Sequence, residues 1–179
     1  MSLALRLLDG HVPTVGRRAA LRALFATTAA GFGCPVPPLD GLDVDARLRR
    51  YARFTRDQAE AALRDGRDLP ALHDRLERGA RALGARLRAC LRLRTTEDAM
   101  AAARMVYGLL DIDLRGTGEG EITVRRCAFS DVYSPEVCRL VSALDGGLLA
   151  GLSGGDRLEF TQRITEGAPC CLARLQPRR

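Results

Sequence analysis

The residues of this sequence that could do chemistry gather in its last third. Cysteines stand at positions 34, 90, 127, 138, 170 and 171. Cys127 ends a run of alternating residues in Arg125-Arg126-Cys127-Ala128-Phe129-Ser130-Asp131. Cys138 follows Ser134-Pro135-Glu136-Val137. Cys170 and Cys171 follow the turn residues Glu166-Gly167-Ala168-Pro169. A cysteine in such a setting has three uses. It can pack as a small buried hydrophobe. It can attack an electrophile, if nearby cations such as Arg125 and Arg126 or a helix N-terminus favour its thiolate. It can also bind a metal, here from Cys127, Cys138 and Cys170 or Cys171, although CxxC spacing is absent. Two carboxylates are placed for proton transfer beside these thiols. Asp131 lies four residues after Cys127. Asp145 sits between Leu144 and Gly146-Gly147 in an otherwise apolar helical pattern. Asp followed by two glycines weakens a helix, so the sequence calls for a reason: a chemical role for Asp145, or a close backbone contact at the glycines.

Other chemistries are poorly supplied. There is no GxGxxG, Walker loop, GxSxG or HExxH, so no nucleotide, metal or other cofactor is expected. The two histidines, His11 and His73, cannot assemble a His-rich site, and His73 lies among Arg and Asp, where it should face solvent. All 28 basic residues are arginine; against 22 acidic residues they give a net charge of +6. The arginines alternate with Asp and Glu, as in Arg64-Asp65-Gly66-Arg67-Asp68, which is the pattern of a solvated face. With five Phe, three Tyr and no Trp, a base-stacking platform is thin, and nucleic acid is not an expected partner. No apolar run reaches the roughly 18 residues a membrane span needs. Scattered cysteines without a repeated spacing fit reduced thiols and a cytoplasmic setting.

The elements that must position these residues read in two halves. The 179 residues fit one domain, mainly helical over 1–110 and mixed over 111–179. A helix is expected over 14–32, with Val15, Ala19, Arg22, Phe25 or Ala26, Ala29 and Phe32 at helical spacing. Its Gly16-Arg17-Arg18 start and the Phe32-Gly33-Cys34 end vaguely resemble an export signal, but Arg22 interrupts the apolar run, so the segment is read as part of the fold. Three prolines in 35–38 then break the chain. Further helices follow at 43–65 and 69–93, the latter with Asp68 as its cap and Pro70 in its first turn. A fourth opens on Thr95 with Asp98 three residues later, the spacing of a capping box. After residue 110 the period changes to two. Strands are expected at 112–114, 121–125, 158–164 and 170–175, with a hairpin turn at 116–120. A helix from Ser134-Pro135 to about residue 152 joins the two strand pairs. The expected class is α+β: a helical N-terminal half packed on a C-terminal antiparallel β-β-α-β-β sheet unit.

Over residues 121–175 the pattern resembles the L-2-amino-thiazoline-4-carboxylic acid hydrolase-like family. The resemblance rests on Cys127-Ala128-Phe129, Ser134-Pro135-Glu136-Val137-Cys138, Ala143-Leu144-Asp145, Leu158-Glu159-Phe160-Thr161 and Glu166-Gly167-Ala168-Pro169-Cys170-Cys171. More distantly, the layout is similar to 4-vinyl-reductase-like ligand-binding domains. The first resemblance implies hydrolytic opening of a small cyclic amidine or thiazoline. Cys127, with Cys170 or Cys171 near it, would be the nucleophile and Asp145 or Asp131 the acid/base. Thr161 would contact the substrate, and Arg126 or Arg163 would grip its carboxylate. The second implies a module that binds a small molecule or a metal without catalysis. A third option is a helical interaction protein that self-associates through its Arg-rich helices.

Overall fold

The computed structural model describes residues 14–177. Four helices come first: α1 (Thr14–Phe32), α2 (Val44–Arg64), α3 (Leu69–Leu91) and α4 (Thr96–Gly108). Strands β1 (Ile112–Gly116) and β2 (Glu121–Cys127) form a hairpin, α5 (Pro135–Ser153) crosses over, and β3 (Arg157–Gln162) and β4 (Cys171–Gln176) complete a four-stranded antiparallel sheet in the order β1-β2-β4-β3. The fold is α+β, with the helical half and the sheet sharing one hydrophobic core. Among the described residues no helix is long and apolar enough to cross a membrane.

Helix starts follow from the capping chemistry in the sequence. Asp43 accepts the Ala46 N–H at 2.7 Å, and Asp68 accepts that of Ala71 at 3.0 Å. Thr95 and Asp98 bond each other's backbone N–H groups in a full capping box. Ser134 caps α5 through the Val137 N–H, with Pro135 in the first turn. Gly154 ends α5 at φ +96°, a left-handed conformation that glycine adopts without strain.

Three local expectations change. In the C-terminal half of α1 the expected Phe25, Ala29 and Phe32 are buried, together with Leu21 and Thr28, whereas Val15, Ala19 and Arg22 are exposed. The core side at the start of the helix is taken by Leu21, which carries more apolar surface than Val15 or Ala19. β3 stops at Gln162 rather than Ile164, because Ile164–Glu166 coils into a short 3₁₀ turn closed by Gly167 at φ +89°. β4 starts at Cys171, which leaves Cys170 in the turn.

Helix α5 is the centre of the molecule. It packs most extensively on α3 and also lies against β3, α4 and α2. This explains why its buried residues, from Val137 through Leu152, run around most of its circumference. The contact with α3 is backbone to backbone. A Cβ on Gly147 would overlap the Glu77 carbonyl, and one on Gly151 would overlap the Arg81 carbonyl oxygen. Gly84, on the α3 side, leaves no room for a Cβ beside the Leu148 carbonyl. Gly146 next door faces open space. Gly147→Ala should therefore destabilise the fold by about 3 kcal/mol, lowering the thermal midpoint by roughly 6–12 °C. Gly146→Ala should be neutral or stabilise by up to about 1 kcal/mol through helix propensity. Thermal unfolding of the two variants checks this; equal midpoints would refute the close-crossing account.

Candidate functional site

Between α5 and the inner sheet face, the side chains leave a cavity with about 110 Å³ open to the centres of water-sized molecules. A single water needs roughly 10–15 Å³ by that measure, so the space suits several waters or a small organic molecule. Its walls are mainly apolar: Ile122 and Val124 of β2, Leu114 of β1, Leu148 of α5 and Leu158 and Phe160 of β3, with Leu24 of α1 contributing from the helical half. The polar groups are few: Asp145, Arg163, the hydroxyls of Tyr51, Tyr107 and Tyr133, several Ser and Thr hydroxyls, and the thiols of Cys127, Cys138 and Cys171.

The sheet register explains which thiols arrive there. Val124 pairs with Cys171 across β2 and β4, so the end of β2 and the start of β4 are neighbours. Simple alternation from the buried Ile122 and Val124 would send Cys127 outward. A bulge prevents this: Leu114 pairs with Val124 and Asp113 with Arg126, which leaves Arg125 without a partner. Arg125 and Arg126 both face solvent and Cys127 turns inward. Cys138 and Asp145 share a face of α5, two turns apart.

Asp145 is the chemical focus. Its Oδ1 accepts the Tyr107 hydroxyl at 2.6 Å. Burial pushes the Asp145 carboxyl above the usual carboxylate range, only partly offset by the Tyr107 bond and by the Arg163 charge. Burial also pushes the Cys127 thiol up to about 12, with the Phe129 N–H working against it and the nearby Asp145 charge adding to it. Cys171 shifts upward for the same first reason, although its Sγ accepts the Ile164 N–H at 3.3 Å. Tyr51 is held up to about 12 by burial, while its hydroxyl shares a 2.9 Å hydrogen bond with Thr28. The Oγ1 atoms of Thr55 and Thr165 are buried at the cavity wall without a well-formed hydrogen bond. The hydroxyls of Tyr51 and Tyr133 are close enough to Thr55 to respond to it.

Of the residues singled out in the sequence, Cys127, Asp145, Cys171 and Arg163 line this cavity. Cys170 lies in the turn before β4, where the Gln162 amide donates to its carbonyl and sulfur. Arg126 is on the outer face in a 2.8 Å ion pair with Asp111, so it is not available to lower the Cys127 thiol. Thr161 is exposed and donates to the Leu172 carbonyl. Asp131 is exposed and lines a different cleft, between α2 and the loop after β2. His73 faces solvent beside Glu77, and His11 lies outside the described residues. Among the described residues, Asp145 and the cavity thiols do not converge to metal-ligand spacing. The group that does is His73, Asp74 and Glu77 on the surface of α3. Sequence reasoning missed the tyrosines. Their signal was a phenol on an apolar helical stripe, such as Tyr107 beside Val106, whose hydroxyl must find a partner when buried.

An α+β protein with a mainly apolar internal cavity and one buried carboxyl is the class that fold and site define. No family model, curated protein or solved structure matches the chain.

The raised Asp145 pKa fixes a pH dependence. The folded state holds this proton more tightly than the unfolded chain does. The stabilising contribution is therefore complete below the ordinary carboxylate value near 4 and is lost as pH rises through the higher folded value. Asp145→Asn keeps an acceptor for Tyr107 but carries no charge. The variant should gain thermal stability over the native chain on going from about pH 4 to neutral pH. A difference in midpoint that is flat with pH would contradict the desolvation of Asp145.

Proposed function

We propose that this protein binds a small, largely apolar molecule in the cavity between α5 and the sheet. The observation that carries the reading is the cavity itself: apolar walls with a few convergent polar groups, the usual build of a small-molecule site. The Asp145–Tyr107 pair gives the ligand a polar point of reference. Asp145 Oδ2 has no protein hydrogen-bond partner among the described residues, so a hydroxyl or N–H on the ligand can donate to it. The likeness of residues 121–175 to 4-vinyl-reductase-like domains supports the same reading. The six cysteines are free thiols in the fold, which suits a reducing, cytoplasmic setting.

The test is thermal unfolding with a panel of phenols and six- to eight-carbon alcohols. A ligand at a hundredfold its Kd stabilises by about 2.7 kcal/mol, or roughly 5–11 °C for a chain of this size. Val141→Phe, which fills the cavity from α5, should remove that shift while the protein stays folded. A panel that leaves the native midpoint unmoved would overturn the proposal.

A second reading has its own observation. Cys127 and Asp145 face the same cavity, closely enough for the Asp145 charge to raise the Cys127 thiol. The resemblance to the thiazoline hydrolase-like family turns this into chemistry. Asp145 would take the proton of Cys127 or of a water as it attacks the amidine carbon, then return it to the departing thiol or amine. Incubation with 2-amino-thiazoline-4-carboxylate, followed by mass spectrometry, should then show ring opening that Cys127→Ala or Asp145→Asn reduces by at least a hundredfold. Ring opening that survives both substitutions would exclude these roles.

A further inference from the structure

Arg163 is a half-buried cation whose charge reaches Asp145 but which makes no ion pair among the described residues. Its Nη2 donates to the Ser142 hydroxyl at 3.2 Å, its Nη1 approaches the Cys138 sulfur at 3.9 Å, and its guanidinium carbon lies 3.9 Å from the centre of the Phe160 ring. Among the described residues no carboxylate comes within ion-pair distance of it. Other arginines among the described residues are used otherwise. Arg75 and Arg88, for example, donate to the Gly31 and Leu152 carbonyls and close helix ends. A guanidinium held on a ring, a thiol and a hydroxyl keeps donor capacity for a planar anion.

Its place in the fold gives that capacity a use. Arg163, Phe160 and Leu158 line the inner cavity on one side and, on the other, a polar cleft open to solvent between α3, α5 and β3, whose rim carries Arg81, Arg139 and Arg157 beside Asp74, Glu77, Asp156 and Glu159. They form the wall between the two spaces. β3 is an edge strand, hydrogen-bonded only to β4 and interrupted by a bulge between Phe160 and Gln162, so this wall is tied to the sheet on one side only.

We infer that Arg163 is an anion-binding residue at the mouth of the cavity, and that the ligand is an apolar molecule carrying one carboxylate. This rests on the reading of the cavity as a ligand site. The molecule enters between α5 and β3 with its apolar end leading. That end lies among Ile122, Val124 and Leu148. The carboxylate stays at the mouth, where the guanidinium fork takes both oxygens.

The experiment compares two probes of equal chain length, octanoate and octan-1-ol, by calorimetric titration. The readout is the ratio of their Kd values in one protein. In the native chain octanoate should bind at least tenfold more tightly than octan-1-ol. In Arg163→Gln that preference should fall to twofold or less. Arg163→Lys, which keeps the charge but not the fork, should fall between and covers the case in which the Gln variant does not fold. Equal binding of the two probes by the native chain overturns the anion site and leaves the cavity reading intact. A preference that persists in Arg163→Gln also overturns it, because the anion then sits elsewhere. Binding of neither probe overturns both.

Discussion

The close crossing of α5 on α3 is the constraint on which the rest of the structure depends. Glycines at 84, 147 and 151 bring the two backbones together where side chains would hold them apart. A helix pinned this tightly on one side cannot move away from the sheet on the other. The apolar residues of α5 must then meet the inner faces of β2, β3 and β4 at a fixed distance. The space between them is not filled: on the strand side Val124, Cys127 and Cys171 line it beside the larger Ile122, Leu158 and Phe160. The cavity thus lies between a tightly packed helix pair and the inner face of a short sheet.

Asp145 sits on this pinned helix. Gly146 and Gly147 after it weaken the helix locally by about 1 kcal/mol each. Tertiary packing offsets that cost at Gly147, where the absence of a side chain lets α3 approach. Thus one oddity of the sequence, an Asp followed by two glycines, has two separate causes. Gly147 is explained by the helix crossing, and Asp145 by its hydrogen bond to Tyr107 inside the cavity. Of the two reasons the sequence offered, the structure supplies the close backbone contact, at Gly147.

The helices, their caps and the change of period after residue 110 were legible in the sequence because each depends on local chemistry. Thr95 with Asp98, and Ser134 with Pro135, fix helix starts through contacts within one turn. What could not be read was whatever depends on pairing between distant segments. The β1–β2 bulge is the clearest case. It turns Cys127 inward and leaves Arg126 outside, yet nothing in the Arg125-Arg126-Cys127 run marks where the extra residue falls. The split between Cys171 in the cavity and Cys170 in the turn has the same origin, since it depends on where β4 begins. Asp131 and Thr161 were near the thiols in sequence only. The loop after β2 carries Asp131 to a cleft against α2, and the alternation of β3 sends Thr161 outward.

The dielectric character of the cavity decides how the two functional readings rank. An unperturbed cysteine near 8.5 is a few per cent thiolate at neutral pH. With its thiol pushed up to about 12, Cys127 is thiolate in only on the order of 1 molecule in 10⁵, and forming the anion at pH 7 costs about 7 kcal/mol. Attack by a preformed thiolate is therefore a poor route here, and the arginines that might have favoured it lie on the far side of the bulge. Hydrolysis would require the proton to leave Cys127 as the bond forms, with Asp145 as its acceptor. No hydrogen bond joins Asp145 to Cys127 among the described residues, and Asp145 Oδ1 is engaged by Tyr107. The environment that raises the thiol is the same one that favours an apolar guest, since burial drives both effects. Binding needs only the cavity as it stands, whereas catalysis needs a realignment of Asp145 toward Cys127, and this difference places binding first.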